Sequence, residues 1–462
     1  MLLKYKHENI IGLVGYCYEM NEKIIVYEHA CNGSLNKHLD NPSLTWMKRL
    51  KICIDAATGL KFLHEGGVEQ ENFMKHRDIR SGSILLDADW NAKISNLEFS
   101  TKVGERAEHL DDNACFSLGY IDPEYETYGF LTQPSDIYSL GVILCEMLCG
   151  RLAWAEGCKH HSQSLGPLFV KHYNEKGYLD EMIFEGIKEQ ITPQSLTTFQ
   201  KIAIQCLQVH RFQRPAIDQI IIRLQKALEF QEDYEIWEPK LPIDYKEIIR
   251  ASKTPECDSE MKKDLYHILS KGILLQDAKV LFSLGNNGER NEMISAKRFS
   301  YKNHLLPKWR SLPESRFPKV AEMFYVSNLN IQIKIRTQFL SPSVNYKVHL
   351  IFRFRGTRKS QAKRMYVNLK YKMGNESLNA YFATWREDGW MMIELFQFLN
   401  HKKDTDFEVL LESFSRCYCG SDSIYIEGIQ FQAMDNASFK IFFCSHSILF
   451  YAYKMVLKFL CR

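Results

Sequence analysis

The sequence predicts an α+β protein of two modules, the first rich in helix and the second a β-sandwich or barrel. Three observations carry that reading. The chain has 462 residues, room for two or three domains at roughly 150 residues each. Its apolar residues change from helical spacing to strict alternation in the second half. Its charge also reverses: residues 1–230 carry 24 Lys+Arg against 30 Asp+Glu, and residues 231–462 carry 35 against 26. Apolar residues at 45% and charged residues at 25% describe a globular chain, which excludes collagen-like, coiled-coil and wholly disordered architectures. A formal charge of +3 is too small to mark the whole chain as a nucleic-acid or membrane binder.

The elements follow in order. Ile10–Tyr16 and Lys23–Glu28 read as two short strands, with Met20-Asn21-Glu22 at the turn between them. Leu50, Ile54, Ala57, Leu60 and Leu63 recur at helical spacing behind Thr45, a capping residue. Further helices are expected over Ile137–Leu148 and Ile217–Glu229. From 231 to 260 the pattern dissolves into charged, Pro-containing sequence, read as a linker. Beyond it Leu329, Ile331, Ile333 and Ile335 alternate with Asn328, Asn330, Gln332 and Lys334, and Val348, Leu350, Phe352 and Phe354 alternate in the same way. Ile424 and Ile426 mark another strand. Strands without long intervening helices argue for a sandwich or barrel. The domain division is therefore 1–230, a linker at 231–260, a β module at 261–436 and an apolar-basic tail at 437–462. The thirteen cysteines are odd in number and scattered. Cys417 and Cys419 form a lone C-x-C without a second ligand pair, so they are read as reduced thiols and no metal site is expected. No secretory leader is read at the N-terminus and no stretch of about 20 apolar residues appears.

One stretch carries chemistry. His76-Arg77-Asp78-Ile79-Arg80-Ser81-Gly82-Ser83 is followed by Ala92-Lys93-Ile94-Ser95, by Gly119-Tyr120-Ile121-Asp122-Pro123-Glu124-Tyr125, by Ser135-Asp136-Ile137-Tyr138-Ser139-Leu140-Gly141 and by Arg214-Pro215. In this order the blocks resemble the protein kinases, and among them the plant receptor-like kinases. The resemblance implies a phosphoryl-transfer fold using ATP and Mg²⁺. It casts Asp78 as the carboxylate that accepts the substrate hydroxyl's proton, Arg77 as a structural loop residue, and Asp136 as the buried brace of that loop. It makes Glu124 and Arg214 a buried structural ion pair. Ser117 takes the place of a substrate-facing Thr, and Ser100 and Thr101 are candidate phosphosites.

The sequence departs from that pattern where the metal should sit. Mg²⁺ asks for hard anionic oxygens, but the two ligand positions hold Asn96 and Ser83. Glu98 stands where the family has a flexible Gly, adding negative charge. Arg80 replaces a Lys and is larger and forked. Met1–Ile10 resembles the end of a regulatory helix, so most of the small lobe, with its Gly-rich loop and ATP-pairing Lys, is expected to be missing. Losing several electrostatic elements, each worth roughly 100-fold or more, leaves negligible transfer.

Further on, Leu269-Ser270-Lys271-Gly272-Ile273-Leu274-Leu275, Met293–Lys297, Trp309-Arg310, Glu314–Glu322, Asp388-Gly389-Trp390 and Ile426–Ile429 are similar to the phloem protein 2 family. That resemblance implies a β-sandwich, lectin-like fold with N-acetylglucosamine-type glycans as ligands. Trp309 and Tyr301 then become carbohydrate candidates, while Trp390 is read as core. Arg353, Arg355, Arg358, Lys359, Lys363, Arg364, Lys370 and Lys372 form a run with no acidic residue from 353 to 372. It is a candidate anionic-surface contact.

The expected architecture is thus α+β multidomain: a protein-kinase-like fold lacking most of its small lobe, then a β-sandwich lectin-like domain. The expected function is a catalytically impaired pseudokinase scaffold. Its partners would be other proteins, receptor-like kinases among them, and it would be cytoplasmic or peripheral at the plasma membrane. An active Ser/Thr kinase and a carbohydrate-binding protein are the alternatives, and no specific nucleic acid is expected.

Overall fold

The computed structural model describes residues 6–19, 22–66, 73–103, 117–154, 158–252, 261–285, 288–302, 306–324, 326–337, 339–355, 364–401, 405–416 and 423–434. The chain divides into two compact units, Met1–Glu235 and Ile236–Arg462. The Cys417/Cys419 pair, the tail 437–462 and Arg358, Lys359 and Lys363 of the basic run lie outside the described residues.

In the first unit the chain runs β1 (Leu13–Glu19), β2 (Glu22–Tyr27), β3 (Gly33–Ser34), α1 (Trp46–His64), β4 (Met74–Lys75), β5 (Ile84–Leu86), β6 (Ala92–Ile94), β7 (Thr101–Lys102), α2 (Tyr125–Tyr128), α3 (Gln133–Cys149), α4 (Leu165–Lys176), α5 (Glu185–Lys188), α6 (Pro193–Cys206) and α7 (Ile217–Trp237). The core sits around α1 and α3. Leu50, Ala57, Leu60 and Leu63 of α1 are buried with Leu140, Ile143, Leu144 and Leu148 of α3. Helix α1 starts directly after Thr45, as its spacing predicts, yet the Thr45 side chain makes no capping bond. Helix α3 is longer than its apolar run because Thr132 and Ser135 form a reciprocal cap at its front, and Gly150 ends it at φ +67°. Gly59 marks a close approach: a Cβ there would sit 2.4 Å from the Asn9 carbonyl oxygen. That same carbonyl receives the Ile94 N–H at 2.9 Å, stitching the 7–11 segment to β6. Strands β1 and β2 pair with each other alone among the described residues. Val14, Tyr16, Tyr18, Ile24, Ile25 and Val26 are all exposed.

Helix α7 runs eight residues past its expected end, and the stretch read as linker contains α8 (Tyr245–Ser252). Leu241, Tyr245 and Ile248 are buried in the core of the second unit. The two apolar side chains at i and i+3 hold this charged helix in place through tertiary burial that its composition conceals.

The second unit continues with α9 (Lys262–Lys271), β8 (Ile273–Leu275), β9 (Val280–Leu284), β10 (Arg290–Ser295), β11 (Ser300–Tyr301), β12 (Lys308–Arg310), β13 (Val320–Phe324), β14 (Ile331–Thr337), β15 (Val344–Phe354), β16 (Arg364–Met373), β17 (Glu376–Trp385), β18 (Met391–Asn400), β19 (Thr405–Arg416) and β20 (Ser423–Ala433). Where the sequence suggests the separate sheets of a sandwich, hydrogen bonding runs without a break through one 13-stranded sheet. Its order is β11-β14-β19-β16-β17-β18-β15-β20-β10-β9-β8, with β13 on β20 and β12 on β13. The sheet curls at β17, which meets β18 over only Ala383–Trp385. Phe352 of β15 then packs edge-on to Phe414 of β19 at 4.7 Å, and Phe398 of β18 to Phe407 of β19 at 4.5 Å. These strands are not sheet neighbours, so the rings meet across the interior. Trp390 is fully buried with Met293, Phe317, Val320 and Ile351 in a second, smaller cluster, the core role its sequence context predicts.

Candidate functional site

Helix α3 delivers Asp136 into the first unit, where it is buried. One carboxylate oxygen accepts the His76 backbone N–H at 2.8 Å and faces His64 Nε2 at 2.9 Å; the other accepts the Arg77 N–H at 2.8 Å. Burial alone would raise the Asp136 carboxyl, but the His64 ring and the backbone donors hold it below the usual carboxylate range. The paired bonds sustain Arg77 at φ +76°, the left-handed region that a non-glycine residue rarely occupies. His76 Nε2 lies 2.9 Å from the Ser95 carbonyl, joining the 76–83 loop to the strand that precedes Asn96.

Asp78 follows on that loop, nearly buried. Ser117 Oγ donates to it at 2.8 Å and Arg80 Nε lies 3.4 Å away. A cleft lined by Arg77, Asp78, Ser117, Tyr120, Asp122 and Leu131 opens beside it. Asp78, Arg77, Arg80, Ser117 and Asp136 are thus brought together as the motif order implies.

Ser83 is fully buried, and its hydroxyl is turned inward. Oγ donates to the Arg80 carbonyl at 2.8 Å and accepts the Arg80 N–H at 2.9 Å. The Ser83 carbonyl accepts both Ser95 N–H at 2.8 Å and Ser95 Oγ at 2.9 Å. Asn96 stands at φ +60°, ψ +43°, and no hydrogen bond of its side chain occurs among the described residues. Glu98 is exposed and accepts a bond from Tyr27 Oη, at the end of β2, at 3.2 Å. Burial and the Glu98 charge both push the Tyr27 phenol up.

The structural ion pair differs from expectation. Arg214 does not meet Glu124; it grips Asp122 with Nη2 at 2.6 Å and Nη1 at 3.0 Å. Its remaining donors go to the carbonyls of Gln208, Pro134 and Val209, so all five N–H groups are used. Glu124 pairs instead with Arg211 at 3.2 Å, which also reaches Asp122 at 3.1 Å. Both Asp122 oxygens face Arg214, and the short side chain suits a bidentate fork. Burial works against the Asp122 charge, yet the Arg214 guanidinium holds its carboxyl below the usual range. The sequence signal that was available is the acid two residues before Glu124 and the Arg three before Arg214.

A second group the motifs do not flag is Glu146 of α3. It is buried, accepts from Tyr120 Oη and the Ala153 N–H, both at 2.6 Å, and burial pushes its carboxyl up to about 7. Tyr120 Oη also lies 3.1 Å from Ser81 Oγ, tying the loop to the helix. The hydroxyls of Ser100 and Thr101 are buried and unbonded among the described residues, so in this conformation neither is presented as a phosphosite.

In the second unit Trp309 is 39% exposed on β12. Tyr301 meets it edge-on at 6.1 Å, but its hydroxyl donates to the Ala296 carbonyl at 2.9 Å and burial pushes its phenol up. Only one of the two aromatic candidates therefore offers an open face. Four cations of the 353–372 run are matched inside the module: Arg353 by Glu314, Arg355 by Glu322, and Lys370 and Lys372 by Glu412. Among the described residues no three His, Cys, Asp or Glu side chains gather as a metal site, and no helix is long and apolar enough to cross a membrane. The described cysteines are all free.

Comparison with known proteins finds a match within each unit. Residues 1–224 match the family described as protein tyrosine and serine/threonine kinase, and residues 290–433 match phloem protein 2. The chain is similar to three proteins of Arabidopsis thaliana. It is 38% identical over 240 residues to receptor-like protein kinase FERONIA, covering 51% of this chain and 26% of that one. To receptor-like protein kinase HERK 1 it is 37% identical over 245 residues, covering 52% and 29%. To receptor-like protein kinase THESEUS 1 it is 36% identical over 237 residues, covering 50% and 27%. The chain spans about a quarter of the length of the curated relatives it matches.

Proposed function

We propose that this chain, which joins a protein kinase domain of the plant receptor-like type to a phloem protein 2 domain, is catalytically impaired and acts as a signalling scaffold. The observation that carries the reading is the orientation of Ser83: its hydroxyl is engaged on both sides by the Arg80 backbone. Its proton and one of its two lone pairs are committed to the loop's own backbone. Asn96, at the other ligand position, offers a neutral amide, and Glu98 adds an exposed carboxylate two residues on. This donor set fits Mg·ATP poorly, because Mg²⁺ demands near-octahedral anionic oxygens. The loop itself is well built around Asp136, so what survives is the shape of a kinase surface rather than its metal chemistry. On this reading the partners are proteins, receptor-like kinases among them, met at the cytoplasmic face of the plasma membrane.

The test is transfer of labelled phosphate from Mg·ATP by the full chain, beside an Asp78→Asn control. The expected outcome is no signal above the control. Signal that disappears in the control would overturn the reading.

A Ser/Thr kinase reading is favoured by one feature, the braced Asp78 with Ser117 Oγ already bonded to it; the same assay decides it. A carbohydrate-binding reading rests on Trp309 alone and predicts glycan-array binding that is lost in Trp309→Ala.

A further inference from the structure

Residues 311–319 of the second unit cross from β12 to β13 without regular structure, and the pair Arg310↔Val320 closes the segment at its two ends. Most of the segment is exposed. Phe317 alone is buried, in the cluster with Met293, Val320, Ile351 and Trp390. The rest of its hold is polar. Glu427 Oε1 accepts Ser315 Oγ at 3.0 Å and the Arg316 N–H at 2.6 Å, and Trp390 Nε1 donates to the Glu314 carbonyl at 3.1 Å.

The geometry of Glu427 sets it apart from an ordinary clasp. It is the extra residue of a bulge, because Ile351 opposes Gly428 while Phe352 opposes Ile426. The backbone there is tightly held: a Cβ on Gly428 would lie 2.1 Å from the Ile294 carbonyl oxygen. The Glu427 side chain is fully buried, yet both donors converge on one oxygen, and Oε2 has no hydrogen-bond partner among the described residues. A buried carboxylate needs donors at both oxygens, whereas a carboxylic acid accepts at one and carries its proton on the other. An unmet hydroxyl donor also costs less than an unmet buried charge.

We propose that the 311–319 segment is a strap latched by a proton on Glu427, closed over β20 while that side chain is neutral and released when it ionises. The proposal concerns the second unit alone and does not depend on the reading of the first. Burial pushes the Glu427 carboxyl up to about 7, against the pull of Arg316 and Ser315 and with help from Asp388; its ordinary value is 4.5. The closed form therefore holds a proton that an open, solvated form releases, and opening grows as pH rises between those values. The charged neighbours are engaged with one another: Arg316 and Arg386 with Asp388 at the β17–β18 turn, Glu314 with Arg353 of β15, and Glu322 of β13 with Arg310. From β10 comes Met293, its sulfur 3.9 Å from Arg316 Nη1. Burial holds His349 of β15 below the ordinary histidine value, so its contribution is lost as pH falls, the opposite direction.

Hydrogen exchange of the full chain between pH 5 and 8, read by mass spectrometry as protection factors so that the intrinsic rate divides out, tests the latch. Protection of 311–319 should fall roughly tenfold or more from pH 5 to 8, while peptides of β15 and β18 change less than about twofold. In Glu427→Gln, which keeps the shape and cannot ionise, strap protection should stay within about twofold across the range. Ser315→Ala removes one donor and should lower strap protection several-fold at both ends of the range while keeping the fall. A fall shared equally by β15 and β18 reports global unfolding and overturns the latch. So does a fall that persists in Glu427→Gln, or parent protection that stays flat or rises with pH. If Glu427→Gln does not fold, the comparison of strap with β15 in the parent and in Ser315→Ala still decides: a fall confined to the strap supports the latch, and any other profile overturns it.

Discussion

Replacing Asp122 by Asn should damage the kinase-like unit far more than replacing Glu124 by Gln. Asp122 is 1% exposed and both its oxygens face Arg214, at 2.6 and 3.0 Å. An Asn amide would present an N–H₂ to a guanidinium whose five donors are all committed, leaving a buried cation unmatched. Breaking such a pair from one side costs about 3–5 kcal/mol. Glu124→Gln weakens the contacts to the Arg211 guanidinium and the Arg211 N–H, but Arg211 keeps Asp122 at 3.1 Å and the Phe130 carbonyl at 2.9 Å, so about 1–2 kcal/mol is expected. A double-mutant cycle makes the contrast sharper. Asp122→Asn with Arg214→Met should show a coupling of roughly 2–3 kcal/mol, and Glu124→Gln with Arg214→Met less than about 0.5. Urea denaturation of the full chain supplies the energies, and hydrogen exchange in α1 and α3 peptides reads this unit apart from the other. Because the folded Asp122 carboxyl lies below its ordinary value, the stabilisation is complete above the unfolded pKa, near 4. It is lost only as pH falls through the folded value. A Glu124–Arg214 coupling equal to or larger than that of Asp122–Arg214 would refute the reasoning.

Two other outcomes follow from the same kind of geometry. Ser83→Ala leaves the Arg80 N–H and carbonyl without their side-chain partner and should cost about 1–3 kcal/mol. The loss should be equal in Mg²⁺ and in EDTA when followed by thermal unfolding; a Mg²⁺-dependent difference would restore Ser83 as a metal ligand. In the second unit, Glu427 is fully buried, accepts from Ser315 Oγ at 3.0 Å and the Arg316 N–H at 2.6 Å, and is pushed by burial up to about 7. Its folded pKa is raised, so the folded chain holds a proton that the unfolded chain releases, and stability falls as pH rises from about 4.5 to 7. Glu427→Gln should remove that fall, gaining roughly 1–3 kcal/mol at pH 8 relative to pH 5. Parallel pH profiles for variant and parent would count against it.

The parts of the site fixed by local order were legible in the sequence. Asp78, Arg77, Ser83 and the Asp136 brace lie within motifs whose spacing dictates the loop, and Asn96 follows at the expected distance. The parts set by tertiary competition were hidden. Asp122 and Glu124 are two residues apart, as Arg211 and Arg214 are three apart, so four pairings satisfy the sequence equally and only the loop path chooses between them. Lys370 and Lys372 read as a basic stripe because their partner, Glu412, lies on β19, beside β16 in the sheet but some forty residues further along the chain. Tyr301 and Trp309 look alike as aromatic residues; burial separates them. The continuity of the sheet also rests on three residue pairs between β17 and β18, which alternation along single strands does not encode.

The inward-facing Ser83 has a consequence beyond catalysis. A loop that satisfies its own polar groups needs nothing from solution to keep its form. On the impaired-kinase reading proposed above, its conformation would be uncoupled from the adenylate pool, and the surface it supports would stay constant whether the cell is energy-rich or starved. Such a scaffold would respond to how much of it has been synthesised and to who is nearby, not to metabolic state.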